Sequence, residues 1–321
     1  MRLLTQKGYL CFINPIRFFN SDYGFGCRKY LVENHKVKSV LDISQLSVFQ
    51  SAMTYPCVIM IQNEKANNKN NYISYRKLPK LEDLQNFDQI EPVLTLQKEI
   101  MTDKEKRFII YASSSLRRIV ARIDANSTPV SSEFDIARGL ANNKVDFGGR
   151  KYKALKSMNV RKYYIEGDLK SVNTSYANVF KGEMIIMPRT VLSLQSMLKE
   201  KNLICLDRIY YLTPLSDLSL KYVLGVLNSE ITNTWFNYYY TTTKVSGNYF
   251  DLNGNQIGSI PIPSASPVQQ QPIINLVDKI LSSKKVNPQA NTSIWEKEID
   301  ELVYKLYGLS EEEIRIVKGG L

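Results

Sequence analysis

The chain has 321 residues, 44% of them hydrophobic and 23% charged, with a formal net charge of +11. That length allows one to three domains and a sizeable core, and no run approaches the ~18 apolar residues of a membrane span. Four separated cysteines (Cys11, Cys27, Cys57, Cys205) and a single histidine, His35, argue against structural zinc and for reduced thiols in a cytoplasmic protein. The opening Met-Arg-Leu-Leu-Thr-Gln lacks the apolar run of a signal peptide.

In chain order, residues 8–13 form a short apolar run stopped by Asn14-Pro15, the pattern of a buried strand. Residues 21–33 can form a helix, and 37–43 and 58–61 are two further apolar strands. Strand, helix, strand, strand predicts a parallel edge closed by an antiparallel return. Residues 64–105 are polar and read as a surface loop and connector. After Phe108-Ile109-Ile110-Tyr111 and a serine run, residues 116–123 read as a basic amphipathic helix.

Between 134 and 212, short apolar runs alternate with turns at Gly148-Gly149, Glu166-Gly167-Asp168 and Lys181-Gly182. Strands are predicted at 184–189, with a proline stop, and at 205–212, so the region reads as mixed β with few helices. A helix-like segment at 222–227 precedes six aromatics (Trp235, Phe236, Tyr238, Tyr239, Tyr240, Tyr249), a threonine run, Lys244 and a Gly/Asn-rich loop. The exit is Ile260-Pro261-Ile262-Pro263. Apolar residues at helical spacing predict helices over 268–284 and 294–307. Ser310 with Glu313 forms a capping box for a last short helix.

The run from Leu227-Asn228-Ser229 through the aromatics and the basic loop to Ile-Pro-Ile-Pro resembles the target-recognition domains of DNA restriction–modification systems. It is most like the specificity domain behind Taq-type adenine-N6 methyltransferases and the fused type II restriction–methylation enzymes. Type I specificity subunits show a similar pattern. "GYLCFINPIRFF", "GFGCRKYLVEN", "VKSVLDIS" and "VFQSAMTYPCVIMI", within residues 1–63, resemble the second half of an adenine methyltransferase domain. In that family this is the strand–helix–strand–hairpin segment after the catalytic loop. "EIDELVYKLYGLSEEEI" resembles a C-terminal signature of the same fused enzymes.

The resemblance implies a fold of the α/β plus α+β class in three parts. Residues 1–105 would be the C-terminal half of a methyltransferase-type Rossmann-like sheet with its connector. Residues 106–265 would be a mixed, β-rich target-recognition domain, and 266–321 a C-terminal helical segment. The implied function is sequence-specific recognition of double-stranded DNA.

Catalytic parts are missing from the sequence. A methyltransferase needs a Gly-rich loop after its first strand for S-adenosylmethionine and an Asn/Asp-Pro-Pro-aromatic loop for the flipped adenine. Gly24-Phe25-Gly26 reads as a turn, and Asn14-Pro15-Ile16-Arg17 lacks the second proline and the aromatic. Glu166 and Asp168, with Lys170 beside them, are the residue types of a nuclease site whose carboxylates hold Mg²⁺, but "YYIEGDLK" resembles a recurring turn of these recognition domains. His35 reads as a surface residue at a helix end, and the cysteines as core residues. No catalytic, cofactor or metal residue is therefore assigned. S-adenosylmethionine and Mg²⁺ are expected only with the complete enzyme, whose catalytic half could sit on a separate subunit docked at the exposed sheet edge. The alternatives are a complete but divergent methyltransferase or nuclease, and an interaction module whose basic face is incidental.

Charge points to the binding region. Residues 106–200 hold 17 Lys/Arg and 8 Asp/Glu, a net of +9, while 296–313 hold seven acids and two lysines. A concentrated basic region suits a polyanion. Its densest part carries Asn143, Lys144, Arg150, Lys151, Lys153, Lys156, Arg161 and Lys162, with Tyr152, Tyr163 and Tyr164 interleaved. Lysine and arginine there would neutralise phosphates, and Gly148-Gly149 would let backbone approach a phosphate. Tyrosines in such a setting pack on bases or in the core. Arginine suits guanine, and asparagine suits adenine. Candidate base readers are Asn143, Arg150, Arg161, Arg189, Asn248, Asn253 and Asn255, with Tyr249 beside them. Residues 241–256 read as a groove-entering finger or as a hairpin without contacts, with Lys244 on phosphate in the first case.

Overall fold

A computed structural model describes residues 1, 3–49, 54–66, 70–245 and 248–319. Three stretches read from sequence lie outside the described residues: 50–53 in "VFQSAMTYPCVIMI", 67–69 in the polar loop, and 246–247 in the expected finger. The chain separates into two compact units, residues 1–118 with 238–246 and residues 119–237 with 247–320.

The first unit is built on one sheet. Its strands are β1 (Tyr9–Pro15), β2 (Lys36–Asp42), β3 (Pro56–Gln62), β4 (Tyr72–Lys77) and β5 (Val93–Leu96). The order is β1–β3–β2–β4–β5. β3 runs antiparallel to both β1 and β2, β2 and β4 are parallel, and β4 and β5 are antiparallel. This corrects the expected parallel edge with an antiparallel return, because the antiparallel strand is inserted between β1 and β2. Burial explains the placement. Cys57, Ile59 and Ile61 of β3 are all buried, so β3 takes an inner position, whereas β1 is mostly exposed and lies at the edge. Helices α1 (Phe25–Asn34) and α2 (Gln97–Thr102) accompany the sheet. Phe19, Val32, Val37, Val40, Ile73 and Phe108 join the same core.

Arg28, 1% exposed, holds this unit's loops. Its guanidinium donates to the carbonyls of Phe18, Ser21, Glu105 and Lys106 at 2.6 to 3.0 Å. The segment 238–246 is held in the same way. Asn20 donates to the Tyr239 carbonyl and to Thr242 Oγ1, Tyr111 donates to the Tyr238 carbonyl, and the Arg107 guanidinium lies 4.3 Å over the Tyr239 ring. His35 does end α1, but it is buried beside the Tyr30 ring, not on the surface. Cys57 and Cys205 are core residues as expected; Cys11 and Cys27 are exposed, which corrects that half of the expectation.

Helix α3 (Ser114–Ala125) carries the basic amphipathic pattern. The second unit continues with β6 (Ser127–Pro129), α4 (Val130–Glu133), β7 (Phe134–Arg138), β8 (Tyr152–Leu155), β9 (Val160–Arg161), β10 (Tyr164–Ile165) and β11 (Lys170–Val172). Then come β12 (Ile185–Pro188), β13 (Thr190–Val191), β14 (Met197–Leu198), β15 (Leu203–Cys205) and β16 (Ile209–Pro214). The two main sheets are β11–β8–β15 and β14–β12–β16–β7. Their shared core includes Leu155, Val160, Val172, Phe180, Ile186 and Ile204. The single strand expected at 205–212 is two strands, β15 and β16. The polar pair Asp207-Arg208 interrupts the run, and Ile209 N–H closes a turn onto the Leu206 carbonyl.

Helices α5 (Leu220–Asn228) and α6 (Glu230–Tyr240) follow. The aromatic run is thus helical, with Trp235 and Phe236 buried. β17 (Phe250–Asp251) pairs with β13, and α7 (Gly254–Gly258) begins at Asn253. The expected finger is therefore partly regular structure, because Phe250 and Ile257 are drawn into the core. β18 (Pro261–Pro263) pairs with β6. α8 (Pro267–Val286), α9 (Ser293–Leu306) and α10 (Glu311–Gly319) close the chain, and Ser310 and Glu313 make the expected capping box. α5 lies against α8 at Gly225, where a Cβ would come within 2.7 Å of Ile273 Cγ2.

Candidate nucleic-acid interface

The site is built around β8 and the turn before it. Gly149 is needed there by its own chain: a Cβ would lie 2.2 Å from the backbone nitrogen of Asn173. The Asn173 side-chain oxygen accepts from the N–H groups of Arg150 and Lys151 at 3.3 and 3.1 Å. The close approach at this glycine is thus to Asn173. The turn leaves Arg150 and Lys151 exposed at the start of β8.

The neighbouring cations are fixed by light contacts that leave their charge available. The Lys151 ammonium sits 5.5 Å from the Tyr152 ring centroid, and Lys144 sits 5.1 Å from that of Tyr176. Lys153 donates to Ser171 Oγ on β11 at 3.0 Å. Lys156 borders a cavity of about 290 Å³ with Met158, Arg161, Glu166, Asp168 and Lys170. Among the described residues, Lys144, Arg150, Lys151, Lys153 and Lys156 form no ion pair, and all five are exposed.

Other candidates are engaged inside the protein. Arg161 pairs with Glu166 and donates to the Met158 and Val160 carbonyls. Asn159 ties the same turn, accepting from Lys156 N–H and donating to the Glu166 carbonyl. Lys162 donates to the Asn228 carbonyl at 2.8 Å. Arg189 makes a two-pronged contact with Asp251, at 2.8 and 2.7 Å, and the bonded carboxylate raises the arginine's pKa. Asn253 caps α7 by accepting from Gln256 N–H. Arg161, Lys162, Arg189 and Asn253 are thus held by partners within the chain. These contacts satisfy buried or half-buried chain ends that the sequence does not reveal.

Asn143, Asn248 and Asn255 are exposed, and Asn248 holds a left-handed backbone with φ of +65°. Tyr249 is 39% exposed. Lys244 belongs to the first unit, where burial and then the nearby Lys77 lower its pKa. Tyr163 is a core residue, and Tyr164 lies under the Lys284 ammonium at 4.5 Å. Sequence reading missed Lys181, Lys199 and Lys201, which gather around a second cavity of about 510 Å³ beside Tyr152 and Phe180. Only folding brings these lysines together, so no local pattern marks them.

Residues 147–262 match a family described as the TaqI-like C-terminal specificity domain, and residues 1–49 match the Eco57I restriction-modification methylase family. Residues 147–262 are thus similar to a specificity domain of the restriction–modification type. Among curated relatives, it is similar to the type II methyltransferase M.AccI of Acinetobacter calcoaceticus, 30% identical over 88 residues, covering 27% of this chain and 16% of that protein. It is also similar to the type II restriction enzyme and methyltransferase RM.Eco57I of Escherichia coli, 32% identical over 68 residues, covering 21% and 7%. Among solved structures, the type IIL restriction-modification enzyme MmeI in complex with DNA aligns with a TM-score of 0.58 at 12% identity, over 97% of this chain and 48% of that one. At that identity the likeness is one of fold. The matches cover well under two thirds of these relatives. Among the described residues, no helix is long and apolar enough to cross a membrane.

Proposed function

We propose that this chain recognises a double-stranded DNA sequence as the target-recognition part of a restriction–modification enzyme. The observation that carries the reading is the group of exposed, unpaired cations, Lys144, Arg150, Lys151, Lys153 and Lys156, most of them inside the segment that matches a specificity domain. Such cations neutralise phosphates and set register, while loop asparagines and Tyr249 supply base contacts. The match does not favour the alternatives of a divergent complete enzyme or an incidental basic face.

The division into residues 1–105, 106–265 and 266–321 belongs to the same proposal. The first part would be the closing half of a methyltransferase-type Rossmann-like sheet. The match over residues 1–49 supports this, as does the strand–helix–strand–strand order of β1, α1, β2 and β3. Its edge strand β1 exposes Phe12 and Ile13, a surface suited to a subunit carrying the cofactor and catalytic loops. S-adenosylmethionine and Mg²⁺ would act only in the complete enzyme, in the cytoplasm. Methyl transfer by the purified chain alone would contradict this.

The test is an Arg150→Ala, Lys151→Ala, Lys153→Ala, Lys156→Ala variant. Duplex binding weakens for every sequence, and the slope of log affinity against log salt falls by about 0.9 for each phosphate that is no longer neutralised. Unchanged affinity and slope would remove this face from the interface.

A further inference from the structure

We infer that the cavity bounded by β8, β15 and the turn at 177–183 is a second phosphate site, which takes a phosphodiester of the DNA backbone with its sugar against Tyr152. The inference rests on the DNA-recognition reading and extends it to residues outside the basic segment. Lys181 comes from the turn, and Lys199 and Lys201 from the loop between β14 and β15. Against these three lysines the lining holds one acid, Glu183. Among the described residues none of the three lysines forms an ion pair.

Lys199 is the informative member. Its ammonium donates to the Glu200 carbonyl at 3.0 Å, and burial lowers its pKa. A partly desolvated cation without a carboxylate partner gains from an arriving anion. Ammonium groups act as compact point charges that meet phosphate oxygens from several directions, and arginine's fork can hold the same group bidentately. Tyr152 and Phe180 both line the cavity; Phe180 is buried against Tyr211, and the half-buried Tyr152 ring is the apolar face available to a sugar.

Position supports the same partner. Tyr152 lines this cavity, and Ala154, two residues further along β8, lines the cavity of Lys156 and Lys170. Lys151 immediately precedes β8 and Lys153 lies within it. Two residues of strand span roughly 7 Å, so adjacent points of one backbone can meet both cavities.

The experiment measures duplex binding by the full chain across a salt series, for wild type, Lys181→Glu/Lys201→Glu, and the triple Lys→Arg variant at 181, 199 and 201. The glutamate variant keeps the wild-type melting temperature, binds all duplexes about tenfold more weakly, and loses about 1 from the salt slope. The arginine variant stays close to wild type. Wild-type affinity and slope in the glutamate variant overturn the inference while the DNA-recognition reading stands. Stabilisation of wild type by inorganic phosphate, lost in the glutamate variant with duplex affinity unchanged, marks a small-anion site and also overturns it. Absence of salt-dependent duplex binding by wild type defeats both.

Discussion

The carboxylate of Asp300 accepts a hydrogen bond at 2.7 Å from the backbone N–H of Glu230, the first residue of α6. A side chain of α9 thereby caps a helix 70 residues away in sequence, and the Tyr304 hydroxyl donates to the Glu230 carboxylate at 2.7 Å. Burial is the main reason the Asp300 pKa rises to about 6; the Glu230 N–H bond and Lys162 oppose it, and the Glu230 and Glu296 carboxylates add to it. The folded state thus holds the Asp300 proton more tightly than the unfolded state. Its contribution is greatest below pH ~4 and is lost as pH rises towards 6, a swing on the order of 1–3 kcal/mol. Asp300→Asn retains an acceptor for Glu230 N–H and removes the titration. Melting curves from pH 4 to 7 will show the variant gaining on wild type as pH rises; parallel profiles would refute the coupling.

Arg189 and Asp251 join the loop after β12 to β17 through two charge-assisted bonds. Arg189→Gln and Asp251→Asn should each lower stability by about 1 kcal/mol, the upper range for a half-exposed bidentate pair. The double variant should lose little more than either single one. Additive losses in a double-mutant cycle would show that the two side chains do not act as a pair.

Gly149 and Gly148 should respond differently to alanine. At Gly149 a Cβ meets the Asn173 backbone, so the turn must open, at a loss of roughly 2 kcal/mol or more. At Gly148 the nearest atom is Asp146 Oδ1 at 3.2 Å, which yields easily. Thermal melts of the two variants decide it, and equal stability would contradict the packing account.

Asn248 and Tyr249 are exposed and adjacent, which suits contact with a base edge. Alanine at 248 would add strain from the left-handed backbone, so glycine is the cleaner replacement. Asn248→Gly/Tyr249→Ala should leave the melting temperature nearly unchanged. It should narrow the gap between specific and non-specific DNA affinity, by about 1–3 kcal/mol for each base no longer read. A large fall in melting temperature with specificity retained would make Tyr249 a structural residue.

Periodicity along the chain made α3, α8 and α9 legible, and continuous apolar runs marked β2, β3 and β12, because these elements bury a face that local pattern encodes. α6 escaped because its threonines and aromatics carry strand propensity as well as fitting a helix. The insertion of β3 between β1 and β2 is a choice between strands of different burial, made only when the sheet assembles. In the interface, the exposed row from Lys144 to Lys156 could be read as charge density. The partners that occupy Arg189 and Lys162 lie 62 and 66 residues away, so sequence could not separate these two from the free cations. The cavity of Lys181, Lys199 and Lys201 is lined by three separate segments and left no local trace.

The central claim is that the chain distinguishes one DNA sequence from others. Its most direct test is selection of duplexes from a random pool by the purified chain, followed by the affinity of the enriched sequence against a scrambled one at physiological salt. The account predicts a single enriched motif, bound about 10³-fold or more tightly than the scramble. No enrichment, with equal affinity for both duplexes, would contradict it.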